Sequence, residues 1–165
     1  EPDFASVPGL RLHISRIYRD MRMHPSTLYK DSLWMCFLDN SGQWLEQPSL
    51  CFEVRPEGYR YGFLHFCRPR DMEDFRRLIS GRPDEFLKIV EKAERESGVR
   101  LYGDEYARPK PCPDPRLERF YRLKWLNGNK DCPPDDLLYS EALVDEVRRS
   151  FSAWLPLLRY LQRMG

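Results

Sequence analysis

Apolar and polar positions alternate near the start of the chain, where Leu10, Leu12 and Ile14 are separated by Arg11 and His13. A period of two is that of a strand with one buried face. Ser32 to Leu38 (SLWMCFL) is almost continuously apolar, which suits a central strand. Ser49 to Arg55 alternates again, with Leu50, Phe52 and Val54 on one side, and Tyr59 to Phe66 is a third run rich in aromatics. Pro56-Glu57-Gly58 reads as a hairpin connection between the last two runs, with a glycine available for positive φ. A polar loop containing Asn40-Ser41-Gly42 joins the first two. The expected arrangement is an antiparallel meander.

Pro69 ends the third run and the period lengthens. Met72, Phe75, Leu78 and Ile79 fit one face of a short helix, and Phe86, Leu87, Ile89, Val90 and Ala93 mark a second that stops at Gly98. An irregular proline-rich stretch, RPKPCPDP from Arg108, packs over the surface in this reading. Tyr121 to Lys130 holds Leu123, Trp125 and Leu126 before Asn127-Gly128, read as one more strand and its turn. From Ser140 a long helix places Leu143, Val147, Phe151, Trp154, Leu158 and Leu161 three and four residues apart. Pro156 has no N–H for the carbonyl of residue 152, so that helix is expected to be kinked or broken near Ser152–Leu155. The fold class is α+β, a mainly antiparallel sheet with helices packed on one face and a long kinked C-terminal helix.

Composition narrows the function more than the fold. The 165 residues make one domain, 1–165, large enough to close a core. Its 27 basic and 26 acidic side chains leave no excess charge for a duplex nucleic acid. No apolar run reaches membrane length and there is no secretory segment. The five cysteines, at 36, 51, 67, 112 and 132, are odd in number and lack a CxxC pair. They are expected to be reduced and unbridged, in a cytoplasmic protein, and their spacing does not suit zinc. No cofactor is expected. The opening Glu1-Pro-Asp-Phe4 has no methionine and looks trimmed.

The most charged stretch is Ser15 to Lys30, SRIYRDMRMHPSTLYK. Arg16, Arg19, Arg22 and Lys30, with Tyr18 and Tyr29 between them, are the residue types that grip a phosphorylated or carboxylated small molecule, because a guanidinium offers a planar fork to such groups. Three charged hydrogen bonds contribute about 5–9 kcal/mol gross. Association costs on the order of 4–15 kcal/mol, so the tyrosine faces are needed as well. The opposing reading is a structural joint, in which Asp20 neutralises one arginine and the others pair elsewhere, in an interaction or accessory domain without chemistry of its own. Asp20 is expected to accept hydrogen bonds from an arginine or from backbone N–H groups. His24, in the same stretch, is the one histidine that qualifies as a site candidate; His13 and His65 sit in strand-like runs as structural residues. The aromatic run Tyr59–Phe66 reads as core. No GxSxG, GxGxxG, HExxH or phosphate-cradling loop is present, so the residues assign no reaction and leave the enzyme question open.

These residues also carry a likeness. Arg16, Tyr18, Arg19, Asp20 and Arg22, then Tyr29-Lys30, Gly62, Pro69, Arg76 and Lys124 together resemble the conserved hypothetical proteins grouped as domain of unknown function 2461. The resemblance runs from about Leu10 to Leu161, with Leu28 where that family has proline and Met23-His24-Pro25 in place of its usual loop. It implies the fold but no activity. It also implies a leading helical segment, absent before Glu1. An apolar patch left by that helix is therefore expected on the sheet, or over Leu143 and Val147, or filled by another chain.

Overall fold

In the computed structural model, residues 4, 7–19, 22, 26–39, 47–108 and 110–164 are described. Strands β1 (Leu10–Ile14), β2 (Leu33–Asp39), β3 (Ser49–Arg55), β4 (Gly58–His65) and β5 (Leu126–Cys132) form one sheet in the order β1-β2-β3-β4-β5, every neighbour antiparallel. Helices α1 (Pro69–Gly81) and α2 (Pro83–Ser97) come between β4 and the short α3 (Glu118–Tyr121), and α4 (Ala142–Leu161) ends the fold. This is the α+β meander with a long C-terminal helix that the periodicities implied.

The helices start and stop where backbone chemistry dictates. α1 and α2 each open on a proline, whose missing N–H costs nothing in a first turn. α2 ends on Gly98 at φ 71°, a left-handed cap whose N–H bonds the Glu94 carbonyl. In α4, Leu143, Val147, Phe151, Trp154, Leu158 and Leu161 are all buried. α4 crosses β3 and β4, and α2 packs alongside it. Phe75, Phe86, Phe120 and Tyr160 close the far side through ring contacts of 4.7–5.9 Å. Two phenols fasten the seam: Tyr61 donates to Glu146 of α4 and Tyr59 donates to Asp135, each at 3.0 Å.

Three expectations change. Pro156 does not break α4, which continues through it to Leu161. Pro156 is exposed, so the carbonyl it leaves unpaired lies on the helix's wet side. Asn127-Gly128 is not a turn but part of β5, opposite Leu64 and Phe63 of β4. A Cβ on Gly128 would come within 2.5 Å of the Trp154 ring, so the glycine is required by a close approach. Third, the cysteines are not all free. Cys36 and Cys51 are direct partners across β2 and β3, with Cα atoms 4.2 Å apart, and form a disulfide. An odd count is compatible with one bridge and three thiols, so it says nothing about compartment. Among the described residues no helix is long and apolar enough to cross a membrane.

The apolar patch also has a location. Leu143 and Val147 are buried, so the exposed patch does not lie over that helix. On β1 and β2, by contrast, Leu12, Ile14 and Leu33 are 47%, 63% and 41% exposed on the face that α4 covers further along the sheet.

Gly128→Ala is expected to cost about 1–3 kcal/mol, as overpacking of a filled core does, read as a lower urea midpoint with an unchanged slope. Cys67 has its thiol pushed up to about 12, chiefly by burial and then by nearby Asp71. At pH 8 iodoacetamide should leave Cys67 of the folded protein unmodified, and should reach Cys36 and Cys51 only after reductant is added.

Candidate functional site

The charged stretch forms an extension of the sheet. Beyond β1 and β2 the two chains stay paired: the Ser15 N–H donates to the Trp34 carbonyl at 2.8 Å, Lys30 N–H to the Ile17 carbonyl and Arg19 N–H to the Leu28 carbonyl, both at 2.9 Å. Tyr18 and Tyr29 face each other as an isolated bridge, their ring centroids 5.5 Å apart. Arg19 is committed within this ribbon. Its Nε donates to the Tyr29 carbonyl at 2.9 Å and its Nη2 lies 3.0 Å from Asp31. Among the described residues the side chains of Arg16 and Lys30 make no ion pair. Arg22 sits in a turn, and Asp20 and His24 lie outside the described residues. The stretch is therefore a joint at Arg19, with Arg16 and Lys30 left uncommitted.

A second place was not anticipated. α4 covers one face of the sheet, and the alternates of the other face stand in three rows. The first row crosses the sheet as Ser15, Trp34, Glu53, Arg60 and Asp131. The second runs His13, Cys36, Cys51, Gly62 and Asn129; the third Arg11, Leu38, Ser49, Leu64 and Asn127. Between them lies a cavity of about 180 Å³. The disulfide forms its floor, Trp34, Leu38, Leu64 and Phe66 are its apolar walls, and Gln47, Ser49, Glu53, Arg60 and Asn129 its polar ones. His13 stacks on Trp34 with centroids 5.4 Å apart, and Phe66 rests on Trp125 at 5.9 Å, so both aromatic walls are buttressed.

The polar groups are unevenly satisfied. Asn127 is spent: its Nδ2 donates to the Tyr102 hydroxyl and its Oδ1 accepts from the Asn129 N–H, both at 2.8 Å. Asn129 is 95% buried, and among the described residues its Oδ1 has no hydrogen-bond partner. An unmet buried acceptor costs about 1–3 kcal/mol, so the site is poised for a donor. Arg60 gives only its Nε to Glu53, at 2.5 Å; among the described residues its Nη groups hold no acceptor. The neighbouring Asp131 is taken by Arg55 at 2.7 Å. Glu53 and Arg60 are the only titratable groups among the lining residues described, and they are paired to each other.

Of the residues proposed from the sequence, none of Arg16, Tyr18, Arg19, Arg22, Tyr29 and Lys30 lines this cavity; the ribbon adjoins it through Ser15, paired to the wall residue Trp34. Two other residues of the resemblance serve the fold. The buried Arg76 guanidinium donates to the carbonyls of Met72, Tyr121 and Leu123, tying α1 to the chain before β5, and lies 5.3 Å over the Tyr106 ring. Lys124 approaches the same ring at 5.7 Å. No group of three or more His, Cys, Asp or Glu able to hold a metal converges among the described residues. The cavity residues are the polar alternates of the strands, which read as a solvated face; only the Cys36–Cys51 register, invisible in spacing, would have exposed them.

A family model described as conserved hypothetical protein (DUF2461) matches residues 1–160. No curated protein and no solved structure matches the chain.

The two roles within the ribbon separate by stability. Arg19→Gln should lower the unfolding free energy by up to about 1 kcal/mol, the scale of a solvent-facing pair. Arg16→Gln should stay within about 0.5 kcal/mol of the parent. Urea titration of both variants makes the comparison, and equal losses would show Arg16 to be a joint residue too.

Proposed function

The chain belongs to the DUF2461 family of conserved hypothetical proteins, and from the geometry of the sheet face opposite α4 we propose that the domain binds a small anionic organic molecule there. The observation that carries this reading is the pairing, in one cavity, of an unpartnered buried acceptor on Asn129 with unspent Arg60 Nη donors. A ligand that fits brings an N–H or O–H to Asn129, sets its apolar body against Trp34, Leu64 and Phe66, and offers a carboxylate or phosphate to Arg60. Arginine suits that last contact because its fork matches both anions. The ribbon adds cationic potential beside the Trp34 wall through Arg16 and Lys30, which raises the encounter rate more than the affinity.

Magnitudes place the affinity. Two charge-assisted bonds at Arg60 contribute about 3–6 kcal/mol, and satisfying Asn129 recovers about 1–3. Burying about 100 Å² of apolar ligand surface adds about 2.5 kcal/mol. Against an association cost on the order of 4–15 kcal/mol, binding requires that cost to lie near its lower end, and at the limit of about 7 kcal/mol net the ligand is a micromolar binder. We infer binding rather than turnover, since Glu53 already holds Arg60, the neighbouring Asp131 is held by Arg55, and among the described lining residues there is no further ionisable group to move a proton.

The test is thermal unfolding of the chain with benzoate, indole-3-acetate, phenyl phosphate and inorganic phosphate. A saturating ligand at a hundred times its dissociation constant stabilises by about 2.7 kcal/mol, or about 5–10 °C for a chain of this size. The aromatic anions should shift the midpoint and inorganic phosphate should not. Ser49→Phe, which fills the cavity, should abolish the shift; Asn129→Ala should weaken it about tenfold. A shift that survives Ser49→Phe would place the ligand elsewhere, and no shift with any of the four would remove the reading.

A further inference from the structure

Among the described residues β1 is an edge strand, with β2 on one side and no strand on the other. The direction of its free backbone groups follows from the pairing. The Ser15 N–H bonds the Trp34 carbonyl, and antiparallel pairs alternate between bonded and non-bonded. Arg11, His13 and Ser15 therefore turn their main chain toward β2. Leu12 and Ile14 turn theirs outward, where neither has a partner among the described residues. β5, the opposite edge, is partly closed by the Tyr102–Asn127 bridge, whose two N–H···O bonds measure 2.7 and 2.8 Å. The open edge thus lies on β1.

Side chains there divide by face. Leu12 and Ile14, with Leu33 next to them on β2, lie on the face that α4 covers further along the sheet, and all three are exposed. Ile17 and Leu28 on the ribbon are also exposed, at 50% and 45%. Arg11 and His13 occupy the other face of β1, and among the described residues from 7 to 19 there is no carboxylate. An exposed, apolar edge is a template for another strand. Among the described residues no carboxylate pairs with Arg11, so charge complementarity favours an acidic partner strand at this edge.

We propose that the β1 edge docks an extended, acidic segment of another protein by strand addition. The added strand takes the outward N–H and C=O groups of Leu12 and Ile14, sets apolar side chains beside Leu12 and Ile14, and sets Asp or Glu on its alternate positions beside Arg11. Backbone bonds supply the affinity in this mode and alternate side chains the selectivity.

The probe is a fluorescein-labelled peptide of about eight residues alternating Val and Glu, titrated with the chain and read by anisotropy. It should bind, and the Val/Lys peptide should not. Ile14→Pro removes an outward N–H that the β1–β2 ladder does not use, so the fold persists by circular dichroism while binding weakens at least about tenfold. Arg11→Glu, at an exposed position, should transfer binding from the Val/Glu to the Val/Lys peptide. Equal binding of both peptides by the parent overturns the proposal, as does equal binding of a helix-stabilised peptide of the same composition. Failure of the Val/Glu peptide to bind overturns it as well. A concentration-dependent dimer of the chain, abolished by Ile14→Pro, would assign the edge to a second copy instead. None of these readouts involves the cavity, so they stand or fall apart from the thermal-shift experiment.

Discussion

Trp154 resting over Gly128 decides which side of this sheet is closed. The ring lies fully buried against the glycine backbone of β5 and stacks on Phe63 of β4, with centroids 5.8 Å apart. Only a residue without a Cβ lets α4 come that close, and once α4 is seated its apolar seam covers β3, β4 and β5. Tyr61, bonded to Glu146, and Tyr59, bonded to Asp135, then fasten the seam at its polar end. Their phenols are pushed up from the ordinary tyrosine range, first by burial and then by these carboxylates, which favours the protonated, donating form.

Closing one face with so long a helix leaves two other surfaces available, and they differ in character. The opposite face holds a recessed cavity with apolar and polar walls, floored by a covalent bridge, Cys36–Cys51, between β2 and β3. A rigid floor holds Asn129 and Arg60 at a fixed separation, which lowers the entropy a ligand must lose on binding. The far end of the covered face, at β1, lies beyond the reach of α4 and keeps its leucines and isoleucine in solvent. Small-molecule recognition suits the first surface and strand addition the second. The ribbon from Ser15 to Lys30 stands where they meet, its Arg19–Asp31 pair holding shape while Arg16 and Lys30 keep their charge uncompensated.

Much of the fold was legible because it depends on period. Leu50, Phe52 and Val54 at intervals of two, and Leu143 through Leu161 at three and four, mark their faces whatever they later touch. Asn127-Gly128 misled because turn propensity is local, whereas the reason for this glycine is a tryptophan in a helix further along the chain. Pro156 was expected to kink or break α4, and its position on the wet side lets the helix continue through it. Cysteine parity misled because pairing follows strand register, and the β2–β3 register depends on a loop whose residues do not declare it. The cavity was hidden for a related cause. Ser49, Cys51, Glu53 and Arg60 are what a solvated strand face shows, and only their rows across four strands give them a common site. The charged stretch was recognised as either joint or site, and it divides between those roles residue by residue.

The central claim, that the face of the sheet opposite α4 is the binding surface, is tested most directly by side-chain nuclear magnetic resonance. The Asn129 amide and the Trp34 indole N–H report on opposite parts of the same cavity. With indole-3-acetate added, both signals are expected to move in a saturable way with one shared dissociation constant, along with the backbone amides of Cys51 and Leu64. Signals that move on α2 or α4 while Asn129 and Trp34 stay fixed would contradict the account.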